Sequence, residues 1–320
     1  MIRFRKTSNS GFYLSDHKLA LDCSHKEAQY FIISHAHSDH MPQNRKVPVY
    51  CSRPTLKFMQ KRGYAGKAEI LRFFEPLDLG SLRITLYPAG HILGSAMIFI
   101  ESDEGTLLYT GDCKTPPSPA SEGFRLPENI DHLIIEGTFG LPIYRWKPIE
   151  EIAADIRNFA VRTLNENCTP VFLAYNLGKA QEIMHLLAPC NHPVQIHKDG
   201  YKLCSVYEEE GIDLGRYEEY NAETCAGKIL ITPSTALSKG FASEISNKQI
   251  VYCSGWAAAE LIRKRSSADY WITLSDHLDF FELIKVCKQI SPEKVTITHS
   301  PNPDVILHYL SNLGINAEAV

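Results

Sequence analysis

Residues Tyr30 to His40 read YFIISHAHSDH, an apolar run followed at once by His35, His37, Asp39 and His40. Alternate side chains of an extended chain share a side, so His35 and His37 are expected to point together. Two imidazoles at a strand end suit one metal ion, and Asp39 and His40, beyond the strand, can turn towards a second. Imidazole with carboxylate is the ligand mix of zinc, and also of manganese or iron. Two later segments end an apolar run in a similar way: YPAGHILGS around His91 and LLYTGD ending at Asp112. A single histidine at a strand end is more often merely hydrogen-bonded. Behind His-x-His-x-Asp-His, His91 and Asp112 extend the same ligand set. The two oxygens of Asp112 suit a bridge between two ions.

The elements that must position these residues are short. Val47 to Cys51, Leu82 to Tyr87, Ala96 to Glu101 and Thr106 to Tyr109 have the residue types and punctuation of strands. Asp103-Glu104-Gly105 signals a hairpin turn. A helix is expected from Pro54 to Arg62, closed by Gly63. After Trp146 the pattern changes. An amphipathic helix is predicted from Pro148 to Asn165, then strands at 171–175, 194–197, 229–232 and 250–253 alternate with helices near Gly178 and over 201–210. That alternation implies a parallel α/β layer. A strand at 270–274, a helix at 280–290, a strand at 295–298 and a helix at 303–313 complete the chain. The expected organisation is 1–147, an insertion over 148–255, and a return to the first domain over 256–320.

Composition narrows the class. The 320 residues are 44% hydrophobic and 22% charged, which excludes disorder, collagen-like repeats and coiled coil. No apolar run is long enough to span a bilayer, and the first ten residues contain no apolar stretch of the secretory kind. The nine cysteines include no CxxC pair, which reads as reduced thiols of a cytoplasmic protein. A net charge of -4 excludes a generally basic nucleic-acid binder, but not a local cationic groove. Residues 151–255 are themselves acidic, so any affinity for nucleic acid must come from a few placed groups and bound metal.

His35-x-His37-x-Asp39-His40, then His91, then Asp112 resembles the metallo-β-lactamase superfamily. Asp22, after the strand-like Lys18 to Leu21, resembles that family's first motif, an acid that orients a metal ligand from behind. Later segments resemble the β-CASP nucleases in particular: LIIEGTFG with Glu136 (motif A), LSDHLD with His277 (motif B) and VTITHS with His299 (motif C). Gly178-Lys179-Ala180-Gln181-Glu182 is similar to a helix start common in their inserted domain, although an insertion of about 108 residues is short for one. The segments FGLPIYRW, AYNLGKAQ and SGW are similar to bacterial ligase-associated DNA-damage-response exonucleases, a resemblance that runs from about Gly11 to Leu310.

The resemblance implies an α/β protein, an αββα sandwich with an inserted compact β-CASP α/β domain. It implies two divalent ions, zinc foremost: one on His35, His37 and His91, the other on Asp39, His40 and His299, with Asp112 shared. It further implies hydrolysis of phosphodiester bonds by a metal-activated hydroxide. His277 would serve the leaving oxygen, oriented by Glu136. The implied substrate is single-stranded DNA ends in repair, with RNA as the alternative. An ATP-dependent DNA ligase and a helicase are the implied partners. For nucleic-acid contacts the sequence offers Lys179 at a helix start, the basic run Arg263-Lys264-Arg265, and Tyr144 and Trp146 as base-stacking aromatics.

Overall fold

A computed structural model describes residues 1–7 and 11–320. In chain order the first part forms β1 (Arg5–Lys6), β2 (Phe12–Leu14), β3 (Leu19–Leu21), β4 (Tyr30–Ile32), β5 (Val49–Cys51), α1 (Arg53–Lys61), β6 (Ala68–Ile70), β7 (Leu77–Asp78), β8 (Arg83–Pro88), β9 (Ala96–Ser102), β10 (Gly105–Tyr109) and β11 (His132–Glu136). Then come α2 (Ile149–Asn165), β12 (Thr169–Leu173), α3 (Lys179–Leu187), β13 (Val194–Ile196), α4 (Lys198–Glu209), β14 (Tyr217–Glu219), β15 (Ile229–Thr232), α5 (Ser234–Leu237), β16 (Lys248–Cys253), α6 (Glu260–Arg265) and β17 (Tyr270–Ile272). The last stretch forms α7 (Phe280–Ile290), β18 (Lys294–Thr298), α8 (Pro303–Asn312) and β19 (Ala317–Ala319). The chain divides into two compact units. Unit 1 comprises Met1–Pro117, Ser121–Pro142 and His277–Val320, and unit 2 comprises Ser118–Ala120 and Ile143–Asp276.

Unit 1 is built on two sheets, ordered β1-β2-β3-β4-β5-β6 and β19-β18-β11-β10-β9-β8-β7. Phe12, Leu14 and Leu21 of the first sheet share one apolar core with Ile98, Ile100 and Leu107 of the second. The opposite face of the second sheet presents Phe99, Leu133, Ile135 and Ile297 to Leu283 and Val286 of α7 and Ile306 and Leu310 of α8. β11 is therefore covered on both sides and reads HLIIE with every residue buried, as a central parallel strand should. Each such Leu or Ile side chain contributes about 1.5–3 kcal/mol on burial. β11 and β18 are parallel neighbours, with Glu136 opposite Thr298. That register sets the ends of two strands, 162 residues apart in sequence, side by side.

Unit 2 carries one sheet, ordered β14-β13-β15-β12-β16-β17, with every pairing parallel. Val171 and Leu173 of β12 pack with Leu230 of β15, and Ala242 and Ile245 close that core. The boundaries differ from those expected from the sequence. β17 lies beyond residue 255, yet it pairs with β16, Val251 facing Tyr270 and Cys253 facing Ile272. Its backbone groups are completed by the unit 2 sheet, so the unit extends to Asp276 and begins at Ile143 rather than at 148. A second correction concerns the histidine segment. β4 stops at Ile32, so strand alternation does not orient His35 and His37. A turn leads from His37 to His40, the His40 and Met41 amides both donating to the His37 carbonyl at 3.2 and 3.1 Å, while His35 is held by Ser34 Oγ.

Phe172 is fully buried under the β12 ladder. Phe172→Ala should cost about 3–5 kcal/mol. Hydrogen exchange in this variant should rise together at 248–253 and 270–272. Unchanged protection at 270–272 would separate that strand from the unit.

Candidate metal centre

At the base of the centre lies Asp22, 1% exposed and held at φ +52°. Its Oδ1 accepts the Ser34 amide at 2.6 Å. Its Oδ2 accepts Ser34 Oγ at 2.5 Å, His40 Nδ1 at 2.8 Å and Tyr109 Oη at 2.8 Å. Four donors fill a carboxylate with about four acceptor sites. With Nδ1 donating to Asp22, His40 has only Nε2 left, which faces Asp112 Oδ1 at 3.5 Å and Asp39 Oδ2 at 3.7 Å. His35 is fixed in the same manner: Ser34 Oγ meets its Nδ1 at 3.0 Å and its Nε2 faces Asp112 Oδ2 at 3.6 Å.

His91 sits in a loop clamped at Gly94. The Gly94 carbonyl accepts Ser52 Oγ at 2.6 Å and Thr55 Oγ1 at 2.9 Å, and its amide donates to both oxygens of Glu122 at 3.0 and 2.9 Å. Gly94 has φ +79°, and a Cβ there would lie 2.7 Å from Pro54 Cβ, so neither backbone shape nor space admits another residue. His91 Nε2 reaches Asp112 Oδ2 at 3.7 Å and His37 Nδ1 at 3.0 Å. One potential ligand atom from each of His35, His37, His91 and Asp112 therefore falls within a span of 4.8 Å. His299 follows β18 at φ +51°, with its ring stacked on His40 at a centroid distance of 5.4 Å. The Nε2 atoms of His35, His40 and His299 are all buried without a hydrogen-bond partner. Buried polar atoms are rarely left so. Two of them, on His35 and His40, face the Asp112 carboxylate at 3.6 and 3.5 Å, a donor set that fits divalent ions of the zinc class.

Beside this cluster, His277 Nδ1 lies 2.7 Å from Glu136 Oε1. Glu136 is fully buried and accepts the Cys113 amide at 3.1 Å and the Thr138 amide at 3.2 Å as well. An oxygen of Asp112 and one of Glu136 come within 4.8 Å of a His277 nitrogen.

The electrostatics follow the packing. Burial lowers the pKa of His35 well below its usual value, and the imidazoles of His40, His91 and His37 push the same way. For His40, burial opposes the charge, but Asp112, Asp22 and Asp39 outweigh it and hold the imidazole up at about 10. Burial raises Asp112 to about 6 against the pull of His40. Burial, helped by His40, lowers His299 to about 4. Glu136 resists burial and stays below the usual carboxylate range because His277 faces it.

All nine residues singled out from sequence as ligands or acid–base groups, and Asp22 behind them, lie in unit 1, His299 through its stacking on His40. The expected nucleic-acid contacts fare differently. Lys179 is 2% exposed and bonded to Asp276 Oδ1 at 2.7 Å, so it is no phosphate-binding surface lysine. Tyr144 is 5% exposed, edge-on to Trp256, and so has no open face for a base. Trp146 is half-buried and tilted against Tyr144. Arg263, Lys264 and Arg265 are exposed on α6; Arg263 also donates to the Ala257 carbonyl and Lys264 pairs with Glu260. Sequence reasoning missed Ser34, Tyr109 and the Ser52–Thr55–Glu122 clamp. A tyrosine ending an apolar strand looks like core. Only its place three residues before Asp112 could have singled it out.

No family model matches the chain. It is 34% identical over 292 residues to a "Probable DNA ligase" of Opitutus terrae, a match covering 90% of this chain and 28% of that protein. It is 32% identical over 196 residues to an "RNase J-like protein" of Methanocaldococcus jannaschii, covering 51% of this chain and 44% of the relative. It is 32% identical over 121 residues to the "5' exonuclease Apollo" of Gallus gallus, covering 35% and 26%. The chain belongs to the β-CASP branch of the metallo-β-lactamase family. It spans less than half the length of each of these curated relatives. In fold it is similar to a protein of unknown function from Enterococcus faecalis, at a TM-score of 0.59 and 14% identity over 88% of this chain and 78% of that one.

Three outcomes are expected for this β-CASP centre. Metal binding needs neutral imidazoles, so loading at pH 7.5 should displace the proton that the acids hold on His40, and apparent affinity should rise with pH up to about 10. Calorimetry in buffers of different ionisation enthalpy reads this directly; a heat independent of buffer would contradict it. Asp22→Asn, which removes the carboxylate behind His40, should lower metal affinity about 10–100-fold. Tyr109→Phe should cost about 1.5–3 kcal/mol through one lost bond to a carboxylate.

Proposed function

We propose that the protein is a metal-dependent phosphodiesterase, an exonuclease acting on single-stranded DNA ends in repair. The reading is carried by one juxtaposition: the unpartnered histidine nitrogens around Asp112 stand beside the Glu136–His277 pair. On this reading unit 1 is the αββα metallo-β-lactamase sandwich and unit 2 the inserted β-CASP domain. His35, His37 and His91 would hold one ion, and Asp39, His40 and His299 the other, with Asp112 between them. Divalent ions bound there lower the pKa of water and neutralise charge on a phosphate. Zinc fits the imidazole-rich donors best, with manganese or iron also within the chemistry of the set.

The chain's own residues supply the rest. Asp22 and Ser34 fix the ring planes of His40 and His35. Glu136 accepts from His277 Nδ1, which leaves Nε2 of that ring as the donor for a leaving oxygen. Low exposure of Glu136 and Asp112 keeps water from competing for these bonds. Arg263 and Arg265, exposed on α6, would be open to phosphates.

Support for DNA comes from the relatives named for a ligase and for a 5' exonuclease. The match inside a DNA ligase also supports a ligase as partner, with a helicase as a further member of such a repair complex. Relatives named as ribonucleases favour RNA as the second reading. Among the described residues no helix is long and apolar enough to cross a membrane. The nine free cysteines suit the reducing cytoplasm.

End-labelled single-stranded DNA and RNA of matched sequence test the proposal. Mononucleotides from DNA alone support it, and cleavage of RNA alone overturns the choice of substrate. His277→Ala should keep its metal and lose about 10²–10⁴-fold in turnover. Wild-type turnover would remove His277 from the acid role.

A further inference from the structure

Lys179 opens α3 with its side chain inside unit 2. That is the wrong end of a helix for a cation, because backbone N–H groups already concentrate positive charge there. Burying the ammonium adds a desolvation cost, which only close pairing offsets. The pairing is close: Nζ lies 2.7 Å from Asp276 Oδ1, and the two residues are 2% and 3% exposed. The ammonium also sits 5.0 Å from the Tyr175 ring centroid. A buried charge pair 97 residues apart in sequence is an unusual way to support a short helix. Its partner explains it, since Asp276 is the last residue of unit 2 and the peptide bond after it leads to His277.

The residues after His277 are fixed as firmly. The Leu278 amide donates to the Cys113 carbonyl at 2.9 Å, and the Cys113 amide donates to Glu136, the residue that holds the His277 ring. Asp279 then caps α7, accepting the Glu282 amide at 2.8 Å while Glu282 accepts the Asp279 amide at 2.9 Å. The backbone carrying His277 is thus tied on its C-terminal side by main-chain bonds of unit 1. On its N-terminal side the Lys179–Asp276 ion pair holds it.

We propose that Lys179 is a positioning residue: by anchoring Asp276 it fixes the peptide from which His277 reaches Glu136. The role assigned to His277 rests on the nuclease reading above. The geometric claim does not, since it concerns only where the His277 ring is held.

The test uses Lys179→Met, Lys179→Arg, Asp276→Asn and the double variant Lys179→Met/Asp276→Asn in the full chain loaded with zinc. Three quantities are read: bound metal, the ¹⁵N-edited imidazole proton resonance of His277, and kcat and KM on single-stranded DNA. Lys179→Met should keep wild-type zinc, shift the His277 Nδ1–H resonance, and lower kcat tenfold or more with KM within about twofold. Asp276→Asn should do the same. The double variant should be no worse than Lys179→Met, because neither charge is then left alone, and Lys179→Arg should recover part of kcat. An unmoved His277 resonance in both single variants overturns the proposal, as does a double variant in which the two losses multiply. If Lys179→Met does not fold, Asp276→Asn and the double variant decide. If the wild-type protein cleaves no nucleic acid, the nuclease reading falls, while the His277 resonance still decides the anchoring.

Discussion

One carboxylate organises the centre. Asp22 accepts four hydrogen bonds from three chain segments: Ser34 at the start of the histidine loop, His40 at its end, and Tyr109 at the end of β10. A buried carboxylate is tolerable only when such donors surround it. Each donor is therefore held as tightly as the carboxylate needs it. The left-handed backbone at Asp22 belongs to the same bargain. A non-glycine residue at φ +52° costs about 1–3 kcal/mol, and a shell of four bonds is strong enough to hold it there. The turn 37–41 then brings His37 and His40 round without any strand geometry.

The opposite wall depends on a ladder rather than on a hub. β10, β11 and β18 run parallel in adjacent positions, and Asp112, Glu136 and His299 follow at or just after their carboxyl ends. Parallel strands put all their carboxyl ends on one edge of the sheet, so three chemically different side chains meet without long loops. His299 repeats the device seen at Asp22, leaving its strand at φ +51°. Gly111, at φ +53°, has Ser34 Oγ 2.7 Å from where a Cβ would be, so the strand carrying Asp112 can approach the histidine loop only as glycine.

Much of this was legible in the residues themselves. Four potential ligands in six positions after an apolar run leave few other meanings, and His91 and Asp112 follow by repeating the context. Asp22, Glu136, His277 and His299 were legible only through resemblance, because a lone acid or histidine after a strand carries no distinguishing local pattern. Lys179 shows the limit from the other side. Its place at a helix start suggests an anion site, and nothing nearby reveals that the anion is Asp276 of the same chain. The insertion's far boundary was misplaced for a related reason. β17 has three residues, and its membership of the unit 2 sheet is a fact about β16, not about its own sequence.

The pairing of β11 with β18 also has a temporal side. The two strands are separated by the whole of unit 2, so the ladder joins parts of the polypeptide made far apart during synthesis. Domains commonly fold as units while the ribosome is still at work. Here the segment up to residue 276 can complete the unit 2 sheet before the strand that carries His299 has emerged from the ribosome. The nascent protein therefore carries an incomplete cluster, still without His299. Translation itself delays the meeting of those groups until nearly all the chain seen here has emerged.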